Sequence, residues 1–510
     1  MTNRFILKWA GIVTVLLVGS RLLGFLREMA IAYRFGTTAE TDAYLVAAVI
    51  PSILFFSFNE TVKTAFIPVY GEYHNREDGD AFALTVFVLL GAILLLISVV
   101  LVVSAPLLIR IVAPGFTGET FEMAVRMSRI LLPGLVFMGL TGLSSGVLHT
   151  KKNFLIPAVT AYPSNIIIMF SAVVLGARFG IMGLTWGTII GFASQFLAQI
   201  PSLLRMGIFR GKKLLWRHPG LKKMAVVLPP VILGAAAVEL KTIIDRAFGS
   251  LLPEGSIAAL NFSSRIFLMP NSIIIVALLT VLYPTMVELK VDGKIREFKE
   301  MLRQGLGLII LLVFPIMVGL IVLRVPVVSL LFQRGAFDAQ ATGTTAFALA
   351  FYSLGLLALG MQLLLHRAFY SYKDTLVPMY VTLLMMGLNV LFNWLLIKPM
   401  AHGGIALGTA LATNIGTVIL GLLLHRKIGP FGGHKLLSTF LKSGVAALLM
   451  GLVVSIGSRF LSGEGFLRQA VDLGILIGFG GVVYFALAYT LKISELHQGL
   501  NILKKRIKIN

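Results

Sequence analysis

Cysteine is absent from this 510-residue chain, and acidic residues are scarce: 22 against 44 basic ones. The lack of cysteine excludes disulfide bonds and thiolate metal sites. Only 13% of the residues are charged, whereas soluble domains carry about 25%. Hydrophobic residues make up 57% of the chain. This composition excludes a soluble protein and predicts an all-α polytopic membrane protein.

Enzyme motifs are also missing. The sequence has no P-loop, no H-E-x-x-H pair and no G-x-S-x-G elbow. Its eight histidines show no metal-ligand spacing. We therefore expect a protein that is not an enzyme and needs no cofactor, apart from a candidate coupling ion.

The net charge of +22 would suggest a nucleic-acid partner in a soluble protein. Here the basic residues lie mainly in short loops between apolar runs. With the N-terminus inside, the cytoplasmic loops hold roughly three times as many Lys and Arg residues as the opposite loops. We therefore expect no nucleic-acid partner, a multi-pass protein of the cytoplasmic membrane, and both termini in the cytoplasm.

Apolar runs of about 20 residues or more predict about fourteen transmembrane helices. Their approximate bounds are 6–33, 41–68, 82–109, 121–149, 156–177, 181–205, 224–249, 256–287, 303–324, 342–370, 376–397, 403–425, 438–460 and 467–491. The first run continues past Arg21 without a small-residue cleavage site, so we expect a retained span rather than a signal peptide.

Two pairs of segments indicate an internal duplication. HTKKNFLIP (149–157) resembles YSYKDTLVP (370–378), and GLTWGT (183–188) resembles GIALGT (404–409), both at an offset of about 221 residues. We predict two six-helix parallel repeats with a substrate site at their interface. The predicted domains are an N-lobe (1–215), a C-lobe (220–430), and two further helices with a basic cytoplasmic tail (435–510).

Arginines inside the predicted spans need an explanation. A charge at membrane depth costs from about 3 to more than 10 kcal/mol unless it faces water, a partner or a ligand. Arg21 and Arg27 lie on span 1, about 120° apart around a helix, and Arg265 lies on span 8. Arginine binds phosphate groups in a bidentate manner and stays protonated. Three such residues predict an anion pocket suited to a diphosphate headgroup.

A structural interpretation of the membrane charges stays open beside the functional one. Neighbouring opposite charges can form local ion pairs that only fix helix packing, and spacings of three and four place both partners on one helix face. The pairs concerned are Arg27–Glu28, Glu60–Lys63 and Lys241–Asp245.

A second constellation consists of Asp245, Asn389, Asn393 and Thr409, with the two asparagines one helical turn apart on span 11. One carboxylate with amide and hydroxyl oxygens forms a hard-cation site of low net charge, suitable for Na⁺. Polar residues also hold membrane helices together, so a packing role is the alternative.

Several segments carry a family resemblance. They are SRLLGFLREMAIAYRFG (20–36), AFIPVYGEY (65–73), SSRIFLMP (263–270), LLFQRGAFDA (330–339) and FYSYKDTLVP (369–378). The chain resembles the MurJ (MviN-like) lipid II flippases of bacteria, in the MOP exporter superfamily. The resemblance covers nearly the whole chain and is most specific at 20–73 and 330–378.

This resemblance implies a transporter of peptidoglycan biosynthesis in the bacterial cytoplasmic membrane, and we expect a monomer because the duplication already makes a two-lobe unit. It would move lipid II, an undecaprenyl-diphosphate-linked muropeptide, from the inner to the outer leaflet by alternating access. The family's cavity arginines match Arg21, Arg27 and Arg265, and its acidic residues on span 2 match Asp42 and Glu60. The family's sodium site falls on Asp245, Asn389, Asn393 and Thr409.

One residue departs from the family pattern. Phe55 stands where family members often carry an arginine, and we expect Lys63 to supply the missing charge. The alternatives are therefore a flippase for another lipid-linked polysaccharide unit and a cation-coupled MOP-type exporter. A non-transporting membrane scaffold is a third interpretation, and it predicts that neutral substitutions of the three cavity arginines are tolerated.

Overall fold

The computed structural model describes residues 3–209, 213–460 and 465–507, without the side chains of residues 3–10, 55–61, 63, 229–238 and 502–507. Throughout these ranges the ordered elements are helices and no strand occurs, which confirms the predicted all-α class. The chain divides into two compact units: unit 1 comprises residues 1–258 and 334–338, and unit 2 comprises residues 259–333 and 339–510. The predicted lobe boundaries stay a prediction.

The helices follow one another along the chain with short connections. In order, the α-helices are Asn3–Phe35 (α1), Ala39–Thr61 (α2), Ile67–Tyr73 (α3), Gly79–Val103 (α4), Ala105–Val112 (α5), Gly118–Leu131 (α6), Gly134–Thr150 (α7), Leu155–Val159 (α8), Ala161–Phe170 (α9), Gly176–Phe179 (α10), Ile181–Leu197 (α11), Ile200–Arg205 (α12), Pro219–Ser250 (α13), Ser256–Pro270 (α14), Val276–Val291 (α15), Ile295–Val322 (α16), Arg324–Phe332 (α17), Ala339–Ser353 (α18), Leu356–Ser371 (α19), Leu376–Ile428 (α20), Gly433–Ser458 (α21), Phe466–Thr490 (α22) and Ser494–Ile507 (α23). Three π-helical segments are Val62–Phe66 (π1), Ser171–Leu175 (π2) and Asn271–Ile275 (π3).

Many of these helices have the length and composition of membrane spans. Among the described residues, eight are long and apolar enough to cross a membrane, or up to ten if each bent pair is one span. One of the eight, α20, covers two predicted spans, because its backbone breaks at Ala401. Helices α1 and α13 cover two further predicted spans, and α2 together with π1 covers most of a third. These three spans carry most of the charged residues considered for the transport site. The chain is thus a multi-pass membrane protein, and the total of fourteen spans stays a prediction.

Local backbone geometry recurs at the offset that the sequence repeats indicated. Lys152 has φ 61° and Lys373 has φ 56°, a left-handed conformation that is uncommon for residues other than glycine. Both lysine N–H groups close the preceding helix, each with a 2.9 Å bond to a carbonyl three residues earlier. Gly180 (φ 59°) and Ala401 (φ 48°) form a second matching pair. This recurrence agrees with the predicted duplication.

Unit 1 is built around α2, which packs against α6, α7 and α13, while α1 packs against α8 and α9. At the start of α13, His218 acts as the cap: its Nδ1 accepts from the Gly220 N–H at 3.0 Å. That acceptor role makes the other ring nitrogen the donor, and Nε2 lies 3.1 Å from Asp78 Oδ2. The neutral imidazole therefore ties α13 to the turn between α3 and α4.

In unit 2 the added C-terminal helices are anchored to α16. Pro315 has no N–H, so the Leu311 carbonyl one turn earlier lacks its helical donor. The buried hydroxyl of Tyr484 on α22 donates to this carbonyl at 2.8 Å. Nearer the chain terminus, the buried Arg303 pairs with the buried Glu495 of α23 at 3.3 Å. Helices α22 and α23 thus pack against α16 of unit 2.

Candidate transport site

Arg27 is held in place by two neighbours within unit 1. Its Nη2 lies 2.7 Å from the Oε1 atom of Glu28, whose side chain is buried. Its Nη1 donates to Asn165 Oδ1 on α9 at 3.2 Å. Asn165 in turn donates to the Ala161 carbonyl at 2.9 Å, which fixes the orientation of its amide. The guanidinium is therefore positioned by α9 and keeps other N–H donors for an anion.

Arg21 lies on the same helix and its side chain is exposed. Arg265 lies on α14 in unit 2, also with an exposed side chain. A shared cavity for the three arginines stays a prediction. Glu60 lies at the end of α2 and Lys63 in π1, and their side chains, like that of Phe55, lie outside the described residues.

Asp42, near the start of α2, binds the N-terminus of α14. Its Oδ2 accepts from the Gly255 N–H and its Oδ1 from the Ala258 N–H, both at 2.7 Å. Arg246 stands nearby and donates to the Ile257 carbonyl at 3.1 Å. Asp42 is only 3% exposed. Its carboxylate therefore caps a helix that lies more than 200 residues away along the chain, an arrangement that we call the Asp42 clamp.

Glycines allow backbone segments to meet around the Asp42 clamp. The Ala336 N–H donates to the Tyr33 carbonyl at 2.8 Å. A Cβ at Gly335 (φ +60°) would overlap that same carbonyl oxygen, and a Cβ at Gly36 (φ +59°) would overlap the Ala336 carbonyl. At these two positions both the left-handed φ and the close approach require glycine. The contact is made by backbone atoms and leaves no space for a side chain.

The predicted sodium-site residues fall in both units. In unit 2, Asn389 Nδ2 donates to Thr409 Oγ1 at 3.1 Å and Asn393 Nδ2 donates to Asn389 Oδ1 at 3.3 Å. All three side chains are buried. In unit 1, Asp245 pairs with Lys241 at 3.0 Å. The structure thus brings three of the four residues together, and among the described residues it has no group of three or more His, Asp and Glu side chains that could hold a metal.

Sequence reasoning missed two features of this site. Asn165 was one polar residue in an apolar run, and nothing in its spacing pointed to Arg27. The role of Gly255 as a donor to Asp42 had no signal either, because it depends on a contact that is distant along the chain. A polar residue in a membrane span was the one available hint for Asn165.

Similarity to known structures identifies the fold class of the chain. The fold matches an inward-facing multidrug resistance MATE family transporter of the MOP superfamily, with a TM-score of 0.69 and 14% identity, covering 81% of this chain and 96% of that one. At this identity the match shows the fold alone. The chain therefore has the fold of a MOP-superfamily membrane protein.

A second group of matches shows the family. A structure described as lipid II flippase MurJ in an inward closed conformation has a TM-score of 0.79 and 26% identity, covering 94% of this chain and 98% of that one. Lipid II flippase MurJ of Burkholderia cenocepacia is 31% identical over 80% of this chain and 81% of that protein. Probable lipid II flippase MurJ of Rhizobium tropici is 30% identical over 92% of both chains. The family model "Lipid II flippase MurJ" matches residues 31–475.

The chain belongs to the MurJ family of lipid II flippases. The resemblance found in the sequence is thereby confirmed, as is the expectation of a membrane transporter rather than an enzyme.

Proposed function

We propose that this chain moves lipid II from the inner to the outer leaflet of the bacterial cytoplasmic membrane by alternating access. The observation that carries the proposal is Arg27, a partly exposed guanidinium positioned by Asn165 and Glu28 within a membrane helix of a MurJ-family member. A charge in this setting is costly unless it faces water, a partner or a ligand, and Glu28 and Asn165 engage only part of this guanidinium. Its free N–H donors match the oxygens of a diphosphate.

The other predicted substrate residues complete the proposal. Arg21 and Arg265 would add charge for the diphosphate, since an arginine stays protonated at any physiological pH. Glu60 and Lys63 would border the same path on span 2. Asp42 would lie on the extracytoplasmic side, because the predicted orientation, with both termini in the cytoplasm, places the α1–α2 turn there. We propose a monomer, because the duplication supplies both lobes, and no nucleic-acid partner.

We also propose Na⁺ as a coupling ion at Asp245, Asn389, Asn393 and Thr409. One carboxylate with amide and hydroxyl oxygens is a donor set that suits a hard cation. Binding would replace the two hydrogen bonds that now join Asn389 to Thr409 and to Asn393. A melting temperature that rises with NaCl but not with KCl, and that loses this difference in Thr409→Val, is the expected result. Equal responses to both salts would refute sodium binding.

Complementation tests the flippase proposal. The native lipid II flippase of a bacterial host is depleted, and wild type, Arg27→Ala, Arg265→Ala and Arg178→Ala are expressed to equal membrane levels. Arg178 is an exposed arginine at the end of α10 and serves as the matched control. We expect wild type and Arg178→Ala to rescue growth, and Arg27→Ala and Arg265→Ala to fail. A well-expressed wild type that fails to rescue would point to another lipid-linked glycan, and rescue by all four would make the arginines structural.

A further inference from the structure

The side chain of Asn271 has no hydrogen-bonding partner. It begins π3, directly after Pro270, and is only 6% exposed. Neither its Nδ2 nor its Oδ1 atom has a partner among the described residues, and both are shielded from solvent. A buried amide without partners destabilises the conformation that contains it. The cost falls on this conformation alone if another one supplies a partner.

Two other asparagines in unit 2 have hydrogen-bonding partners. Asn414 on α20 donates to the Leu354 carbonyl at 3.0 Å and to the Ala410 carbonyl at 2.8 Å. The buried Asn389 both donates and accepts. The helices of unit 2 can therefore accommodate an asparagine with its hydrogen bonds made. Asn271 differs, because neither atom of its amide has a partner among the described residues.

Apolar residues of the same span on either side of Asn271 are packed closely. Ile266, Phe267 and Ile275 are 4%, 7% and 0% exposed. The Phe267 ring stacks on Tyr352 of α18 with centroids 5.6 Å apart. A Cβ at Gly360 of α19 would lie 3.2 Å from the Ile275 Cδ1 atom. In the conformation described, the residues one turn before and one turn after Asn271 thus pack against α18 and α19.

The backbone at Asn271 is a place where the span can bend. A proline removes a helical hydrogen bond, and π-helical turns inside α-helices occur frequently at functional sites. Pro270 and π3 join α14 to α15 at this point. A change of bend here would reposition Asn271 relative to α18 and α19.

We propose that Asn271 is a conformational switch residue, whose amide gains a hydrogen-bonding partner when the span bends at Pro270 in another state of the transport cycle. The unpaired amide raises the free energy of the conformation described here. The equilibrium constant between this conformation and one in which the amide is paired therefore shifts roughly 5- to 150-fold away from it. The transporter thereby leaves this conformation more readily. The transport consequence rests on the proposed flippase function.

Asn271→Leu tests this proposal, with Asn414→Leu as the matched control. Leucine has the same number and branching of side-chain heavy atoms as asparagine and no polar atoms, so Asn271→Leu should raise the melting temperature of the purified protein by roughly 2 °C or more. It should lower lipid II transport at least about fivefold, because the conformation described becomes more populated. Asn414→Leu loses two hydrogen bonds and should lower the melting temperature.

The outcomes separate this proposal from the flippase proposal. If Asn271→Leu lowers the melting temperature as the control does, the amide is paired and the proposal fails. If it raises the melting temperature while transport is unchanged, the amide has no part in the cycle and the proposal also fails. A wild type that does not transport lipid II would overturn the flippase proposal. In that case the melting temperature of Asn271→Leu decides whether the Asn271 amide is unpaired. A value above that of wild type supports the switch proposal, and a value below it overturns the proposal.

Discussion

Asp42→Asn should open the Asp42 clamp. The substitution keeps the shape of the side chain and removes its charge. An asparagine oxygen can still accept one of the two backbone N–H groups, from Gly255 and Ala258, that now lie 2.7 Å from the carboxylate. The amide nitrogen then faces the other N–H as a second donor, and that backbone group loses its partner.

The expected size follows from the bonds lost. A hydrogen bond to a charged group contributes about 1.5–3 kcal/mol, and a negative charge at a helix N-terminus contributes about 0.3–1 kcal/mol more, up to about 2 when partly buried. Because one bond is kept in weaker form, we expect the clamp to lose about 2–4 kcal/mol. This corresponds to roughly a 30- to 700-fold shift toward the open form.

Cysteine labelling measures this shift directly, because the chain has no cysteine of its own. Ser256 lies beside the clamp at the start of α14 and is 7% exposed. In a Ser256→Cys background, Asp42→Asn should raise the rate of modification by a thiol reagent at least about 30-fold. Glu40→Gln is the control, since Glu40 is an exposed acid in the first turn of the same helix. Equal labelling rates in the Asp42 variant and the control would refute the reasoning.

Three further predictions concern stability. Tyr484→Phe removes the hydroxyl that holds α22 to α16 and should destabilise the protein by about 0.5–1.5 kcal/mol in thermal melts, whereas Phe at the exposed Tyr489 should change little. The hydrogen bond from Lys427 lowers the pKa of Asp374, so this pair stabilises above about pH 4 and its contribution is lost as the pH falls through the lowered pKa. The melting temperatures of wild type and Asp374→Asn should differ at about pH 7 and converge as the pH falls through the lowered pKa. Gly335→Ala places a Cβ against a backbone carbonyl in left-handed geometry and should cost about 1–2 kcal/mol or more, seen as faster labelling in the Ser256→Cys assay; an unchanged rate would show that the glycine is dispensable.

Much of the fold could be predicted from residue order alone. Apolar runs of membrane length marked the helices, because a backbone in lipid must satisfy its hydrogen bonds within the helix. The repeated motifs at 149–157 and 370–378 anticipated the matching left-handed lysines, since a local backbone conformation depends on nearby residues. The break at Ala401 inside one long helix also fell between two predicted spans.

The site was predictable only in part. An arginine in an apolar run stands out because burying its charge in the membrane costs free energy, so Arg27 could be selected without a structure. Its partner Asn165 could not, because membrane helices associate through packing and isolated polar contacts that leave no periodic signal. The same holds for Asp42, whose charge was visible while its two N–H partners were not.

The sequence by itself determined that this is a helical membrane protein, and it predicted a duplicated core, a basic cytoplasmic face and arginines inside the membrane spans. Hydrophobicity, charge and short motifs are local quantities, and they suffice for these conclusions. Only the tertiary structure decided that Asp42 caps α14, that Asn165 positions Arg27, and that Asn271 is buried without a partner. Each of these depends on which distant segments meet, and that choice is made by the packing of whole helices.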